Sequence, residues 1–131
     1  MIALDSSAVV AIALAEPEAA DFNRLIATQE ALIGTPTLLE VHLVLSQRSP
    51  GGAKEFLNDL LERRSIHLVP FNLEMYRLAQ SAFDRYGKGK KDPARLNFGD
   101  CLSYAVAKFH AVPLLFKGDD FRLTDIRPAL P

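Results

Sequence analysis

The chain has 131 residues, 49% of them apolar and 24% charged, the proportions of a soluble globular domain long enough to build its own core. Fifteen Lys and Arg against sixteen Asp and Glu leave a formal charge of −1, which excludes the global basic field of a general nucleic-acid binder. The single cysteine, Cys101, excludes an internal disulfide or a zinc knuckle and fits a reducing compartment. In chain order, Met1-Ile2-Ala3-Leu4 is a brief apolar run with no polar alternation, the mark of a strand buried on both faces. Ser6 or Ser7 follows as the expected cap of a helix continued by Ala8 to Leu14, within the longest apolar run, Ala8 to Ala15. That run is far short of the roughly 20 residues needed to span a bilayer. No Lys or Arg precedes it and Asp5 interrupts the approach, so neither a membrane span nor a signal peptide is expected and the expected location is cytoplasmic.

Residues 18–28 place Phe22, Leu25 and Ile26 on one helical stripe. Ala31-Leu32-Ile33 reads as a second strand, closed by Gly34-Thr35-Pro36. Residues 37–47 form a helix apolar nearly all round. After the break at Ser49-Pro50-Gly51-Gly52, a further helix turns Phe56, Leu57, Leu60 and Leu61 inward. Ile66 to Pro70 is a third strand, and Asn72 caps a helix carrying Tyr76, Ala79, Phe83 and Tyr86. Gly87 to Pro93 is a polar, basic loop; residues 99–110 are helical; Pro113 to Phe116 is a fourth strand; Ile126 is expected to begin a short last one. Short apolar strands alternating with helices of 10 to 15 residues predict an α/β fold, a parallel central sheet of four or five strands within one domain over residues 1–131.

Ligands of open parallel sheets bind at the carboxyl ends of the strands, and several acids fall there. Asp5 directly follows the first strand, and Asp119 and Asp120 directly follow the fourth. Asp100 opens its helix about 200° around the axis from Leu102, off the core stripe. Glu40 is the only charge between Ala31 and Gln47. An Asp at a strand–helix junction serves equally well as a cap. A carboxylate in a leucine-rich helix, however, needs a cation, a donor or solvent, because burial alone costs several kcal/mol or removes its charge. Like charges gathered at one edge persist when something positive lies between them. The oxygen-only set argues for Mg²⁺ or Mn²⁺ rather than zinc. His42, His67 and His110 share no metal-ligand spacing and read as ordinary histidines.

Four segments carry a resemblance: Met1-Ile2-Ala3-Leu4-Asp5-Ser6-Ser7-Ala8, Thr37-Leu38-Leu39-Glu40-Val41, Leu96-Asn97-Phe98-Gly99-Asp100-Cys101-Leu102-Ser103-Tyr104-Ala105, and Leu114-Leu115-Phe116-Lys117-Gly118-Asp119-Asp120-Phe121. Each is short and weak alone; in this order, over the whole chain, they resemble PIN-domain ribonucleases and closely the VapC toxins of toxin–antitoxin operons. The resemblance implies a PIN-like three-layer fold and a metal site of Asp5, Glu40 and Asp100, with a fourth acid from the Gly118-Asp119-Asp120-Phe121 turn. Asp120 is preferred as the fourth and Asp119 is kept as alternate. Ser7 matches a family hydroxyl near the metal. Asn97 either orients the Asp100 loop or simply caps the helix.

The resemblance further implies Mg²⁺-dependent endonucleolytic cleavage of RNA, with Mn²⁺ as substitute, leaving a 5′-phosphate. It implies a cognate VapB-like antitoxin and a homodimer. An acidic pocket repels RNA, and Arg85, Lys88, Lys90, Lys91 and Arg95 place five cations in eleven residues just before Asp100; these and Lys117 are candidate phosphate contacts. Tyr86 and Phe98 flank the loop, and burial is expected for both ahead of stacking on a base. The helix around Glu40, with residues 18–28 and 54–64, offers apolar surface for a partner helix. Two alternatives stand beside this reading. One is a haloacid-dehalogenase-like phosphatase with Asp5 as nucleophile, although Ser7 stands where that class has its second acid. The other is a non-catalytic PIN-like binding module.

Overall fold

In the computed structural model, which describes residues 1–131, the chain runs β1 (Ile2–Leu4), α1 (Ser6–Ala13), α2 (Ala19–Thr28), β2 (Ala31–Gly34), α3 (Thr35–Arg48), α4 (Ala53–Glu62), β3 (Ile66–Val69), α5 (Leu73–Tyr86), α6 (Phe98–His110) and β4 (Leu114–Leu115). A 3₁₀ turn at Asp120–Leu123 follows. The four strands pair in parallel in the order β3-β2-β1-β4. The crossovers β1→β2 and β2→β3 travel one way along the sheet, and β3→β4 returns the other way. Right-handed connections therefore send α1–α4 to one face and α5–α6 to the other.

Side-chain alternation agrees. Ile2, Leu4, Ala31 and Ile33 pack with Val9, Phe22, Val41 and Leu57 on one face. Ala3, Leu32 and Leu114 pack with Met75, Tyr86, Tyr104 and Val106 on the other. This is the three-layer arrangement expected, and every strand delivers its carboxyl end to the same edge. Connections diverge to either side of β1, which opens a crevice at the end of that strand and β4.

Three local expectations need correction. The cap of α1 is Asp5, whose carboxylate accepts from Ser7 N, rather than Ser6 or Ser7. On α4 the inner face is Ala53, Leu57 and Leu60, and Leu61 is 39% exposed rather than turned inward; on α5 the inner face is Met75, Ala82 and Tyr86, with Tyr76 and Phe83 54% and 42% exposed. No strand begins at Ile126. The segment beyond it meets the sheet in a single bridge between Leu114 and Pro128, because Pro128 has no N–H to extend a ladder.

Candidate active site

Asp5 leaves β1 with its backbone N–H still in the sheet, donating to Leu115 O at 2.9 Å. Its side chain is 2% exposed. One carboxylate oxygen accepts from Ser7 N at 3.0 Å and from Ser7 Oγ at 2.6 Å. The same hydroxyl accepts from Lys117 N at 2.9 Å, so Ser7 ties the ends of β1 and β4 together and fixes the Asp5 rotamer. The other oxygen, Oδ1, is buried with no partner. An orphaned carboxylate oxygen is expensive, on the order of 1–3 kcal/mol or more.

Glu40, on the second turn of α3, is half-buried and its Oε1 is likewise buried without a partner. Burial pushes its carboxyl up, a hydrogen bond from Ser6 opposes this, and the Asp5 charge raises it further. Asp100 is held by a reciprocal capping box: it accepts from Asn97 N at 3.0 Å and donates its own N–H to Asn97 Oδ1 at 2.8 Å. Both roles weighed for Asn97 are thus the same hydrogen bonds. Burial pushes Asp100 up to about 7, against the Asn97 backbone bond, with the Asp5, Asp120 and Glu40 charges adding to the rise.

Four carboxylates from four separate segments therefore share one electrostatic neighbourhood. None of the four is ion-paired; the chain's salt bridges engage Asp21, Glu30, Asp125, Glu16, Glu18 and Asp119 instead. The two acids of the last turn differ. Asp120 acts on Asp100, whereas the Asp119 side chain is 93% exposed and 3.8 Å from Arg122. No three acid, His or Cys side chains stand close enough together to hold an ion between them. The orphaned oxygens of Asp5 and Glu40 and the raised carboxyl of Asp100 are what a hard cation would satisfy.

Beside this edge the basic segment forms a tied loop. Lys88 N donates to Leu96 O and Leu96 N to Tyr86 O, both at 3.0 Å, and Ala94 N is held by Asp92 at 2.9 Å. Arg85, Lys88, Lys90, Lys91 and Arg95 are all exposed. Lys117 departs from expectation: its ammonium lies 3.3 Å from Glu16 and 3.6 Å from Glu18. Tyr86 is buried as expected, but Phe98 is 80% exposed, because it occupies the first helical position of α6, where its side chain lies beyond the core stripe. Two participants escape the sequence. Ser6, expected only as a cap of α1, bonds Glu40 instead; Gly99 lies against the Glu40 carboxylate. The only signal for Gly99 is a glycine inside a helix, next to an acid.

A parallel three-layer sheet with unpaired acids at its carboxyl edge is the arrangement of a PIN domain, and the chain belongs to that family: residues 2–126 match the PIN-domain model. Among its relatives, a protein named ribonuclease VapC from Mycolicibacterium smegmatis is 42% identical over 126 residues, covering 94% of this chain and 95% of the relative. VapC ribonuclease Mb0640 of Mycobacterium bovis is 42% identical over 132 residues, covering 98% of each. Among solved structures, VapC20 of Mycobacterium tuberculosis, described as a sarcin-ricin-loop-cleaving toxin, matches with a TM-score of 0.80 and 16% identity across 100% of both chains. VapBC2 from Rickettsia felis, solved on a DNA fragment from its promoter, matches with a TM-score of 0.72 and 14% identity, covering 98% of this chain and 97% of that one.

Proposed function

We propose that the chain is the toxin of a type II toxin–antitoxin pair, an endoribonuclease that hydrolyses RNA phosphodiester bonds with Mg²⁺, or Mn²⁺ in its place. The carrying observation is the set Asp5, Glu40, Asp100 and Asp120, drawn to one edge with no cation of the protein's own among them. The names of the VapC relatives support RNA as the substrate. Membership in the PIN family removes the phosphatase alternative.

In this reading Asp5 and Asp100 hold the ion, Glu40 joins a second ion or orients the attacking water, and Asp120 completes the acidic cluster. A bound divalent cation supplies charge neutralisation at the phosphate and acidifies water. The chain's own residues do the positioning. Ser7 locks Asp5, Asn97 locks Asp100, and Lys88, Lys90, Lys91 and Arg95 hold flanking phosphates. Water attacks phosphorus, the O3′ leaves as an alcohol after taking up a proton, and the downstream fragment keeps the 5′-phosphate. Lys117 is left out of the phosphate set, since Glu16 and Glu18 engage it.

The partners follow from unfilled apolar surface. For a VapB-like antitoxin helix, the groove between α3 and α4 offers Leu38, Leu39, Leu57 and Leu61, with Leu39 59% exposed. For a homodimer, the face of α5 and α6 offers Tyr76, Phe83 and Phe98 around a groove of about 490 Å³, a surface that monomers seldom leave in water. The test is cleavage of an RNA panel in Mg²⁺ or EDTA, with Asp5→Asn as control. Cleavage confined to the wild type in Mg²⁺ is expected; equal cleavage by the variant would remove the site assignment.

A further inference from the structure

Gly99 occupies the second position of α6, between the exposed Phe98 and Asp100. Glycine is a poor residue there, since it loses more freedom on folding than alanine and adds nothing to helix propensity. Its backbone gives no reason for it, because its φ is not among the positive values of the chain, which at glycine are confined to Gly51, Gly89 and Gly118. The reason lies across the site. A Cβ at Gly99 would fall on the Glu40 carboxylate, 2.6 Å from Cδ and 2.7 Å from Oε1. No backbone atom and no core side chain is among the nearest atoms it would strike. The obstacle is the far end of one flexible acid.

We propose that Gly99 is a positioning residue for catalysis: its missing side chain lets the Glu40 carboxylate lie against the amino end of α6, beside Asp100. The inference rests on the reading of Glu40 as a member of the metal site. The approach sets an acid against the positive end of a helix dipole, where a carboxylate is favoured. It also leaves Oε1 buried and unpartnered. A methyl at residue 99 would displace the Glu40 carboxylate, which supplies all three of its nearest atoms. Stability and function should then move in opposite directions, which a residue with a merely structural role would not produce.

The test is Gly99→Ala, measured alone and in a Glu40→Ala background. For the single variant, the melting temperature in EDTA should hold or rise by a few degrees, from the better helix former. Mn²⁺ affinity by calorimetry and RNA cleavage in Mg²⁺ should each fall about tenfold or more, as for residues that orient a metal's ligands. In the Glu40→Ala background, adding Gly99→Ala should change Mn²⁺ affinity by less than twofold, because the carboxylate it displaces is gone. Wild-type affinity and cleavage in Gly99→Ala, with Glu40→Ala impaired, would overturn this inference alone. An equal loss from Gly99→Ala with and without Glu40 would also overturn it. If Glu40→Ala itself leaves both readouts unchanged, the metal-site reading of Glu40 fails and the inference falls with it.

Discussion

Helix α6 meets two acids, an exposed one and a half-buried one, and the protein treats them in opposite ways. Near its carboxyl end, Asp125 meets Lys108 at 2.7 Å and the Tyr104 hydroxyl at 2.7 Å. Burial acts to raise Asp125, but the hydrogen bonds from Lys108 and Tyr104 and the Lys108 charge outweigh it and hold the carboxyl below its usual value. At the amino end, Asp100 has no such cation, and burial with three other acids drives it up to about 7. The fold is able to neutralise an acid locally, as Lys108 does for Asp125, and at the carboxyl edge of the sheet it leaves Asp100 without a cation.

Replacing Asp100 breaks the contrast most strongly. Asp100→Asn should lower RNA cleavage by about 100-fold or more, beyond the usual cost of an outer residue. In EDTA it should stabilise the fold at neutral pH, since one of the repelling charges is removed. The pH dependence carries the sign. A carboxyl raised in the folded state stabilises most when protonated in both states, so its contribution is lost as pH rises from about 4 to 7. Asp125, lowered in the folded state, contributes above its unfolded value near 4 and loses that contribution as pH falls below it. Thermal melts in EDTA across pH 3–8 should show both limbs, with Asp100→Asn flattening only the upper one.

The basic loop sharpens the contrast from outside. Replacing Lys88, Lys90 and Lys91 with alanine should weaken RNA binding about tenfold at low salt. It should also reduce the slope of log affinity against log salt by about 2, at roughly 0.7 per single-strand phosphate contact. A filter-binding series over salt measures both. Asp125→Ala should cost about 1 kcal/mol in urea unfolding, small because the side chain is 43% exposed, and leave cleavage unchanged. Smallest of all, Asp119→Asn should alter cleavage by less than twofold, whereas Asp120→Asn should lower it clearly.

The sheet edge is legible in the sequence because short unalternating apolar runs end at acids, and parallel strands must end together. Asp5 and Glu40 stand out for a related reason, a charge at a strand end or inside a leucine-rich helix, whereas Asp100 reads equally well as a helix cap and the last turn offers Asp119 and Asp120 alike. What is not legible is which way an amphipathic surface faces. The outward turn of Tyr76 and Phe83 depends on where Met75 and Ala82 find the core, and the exposure of Phe98 depends on where Asn97 starts the helix. The capture of Lys117 by Glu16 and Glu18 joins residues about a hundred positions apart, a pairing that no local pattern encodes. Gly99 reads as an ordinary helix blemish until Glu40 is seen against it.

Calorimetric titration of Mn²⁺ into the metal-free protein, beside the Asp5→Asn/Asp100→Asn double variant, decides whether the acids at the sheet edge hold a divalent cation. Saturable binding by the wild type, lost in the double variant, is expected. Matching isotherms for the two proteins would show that they do not.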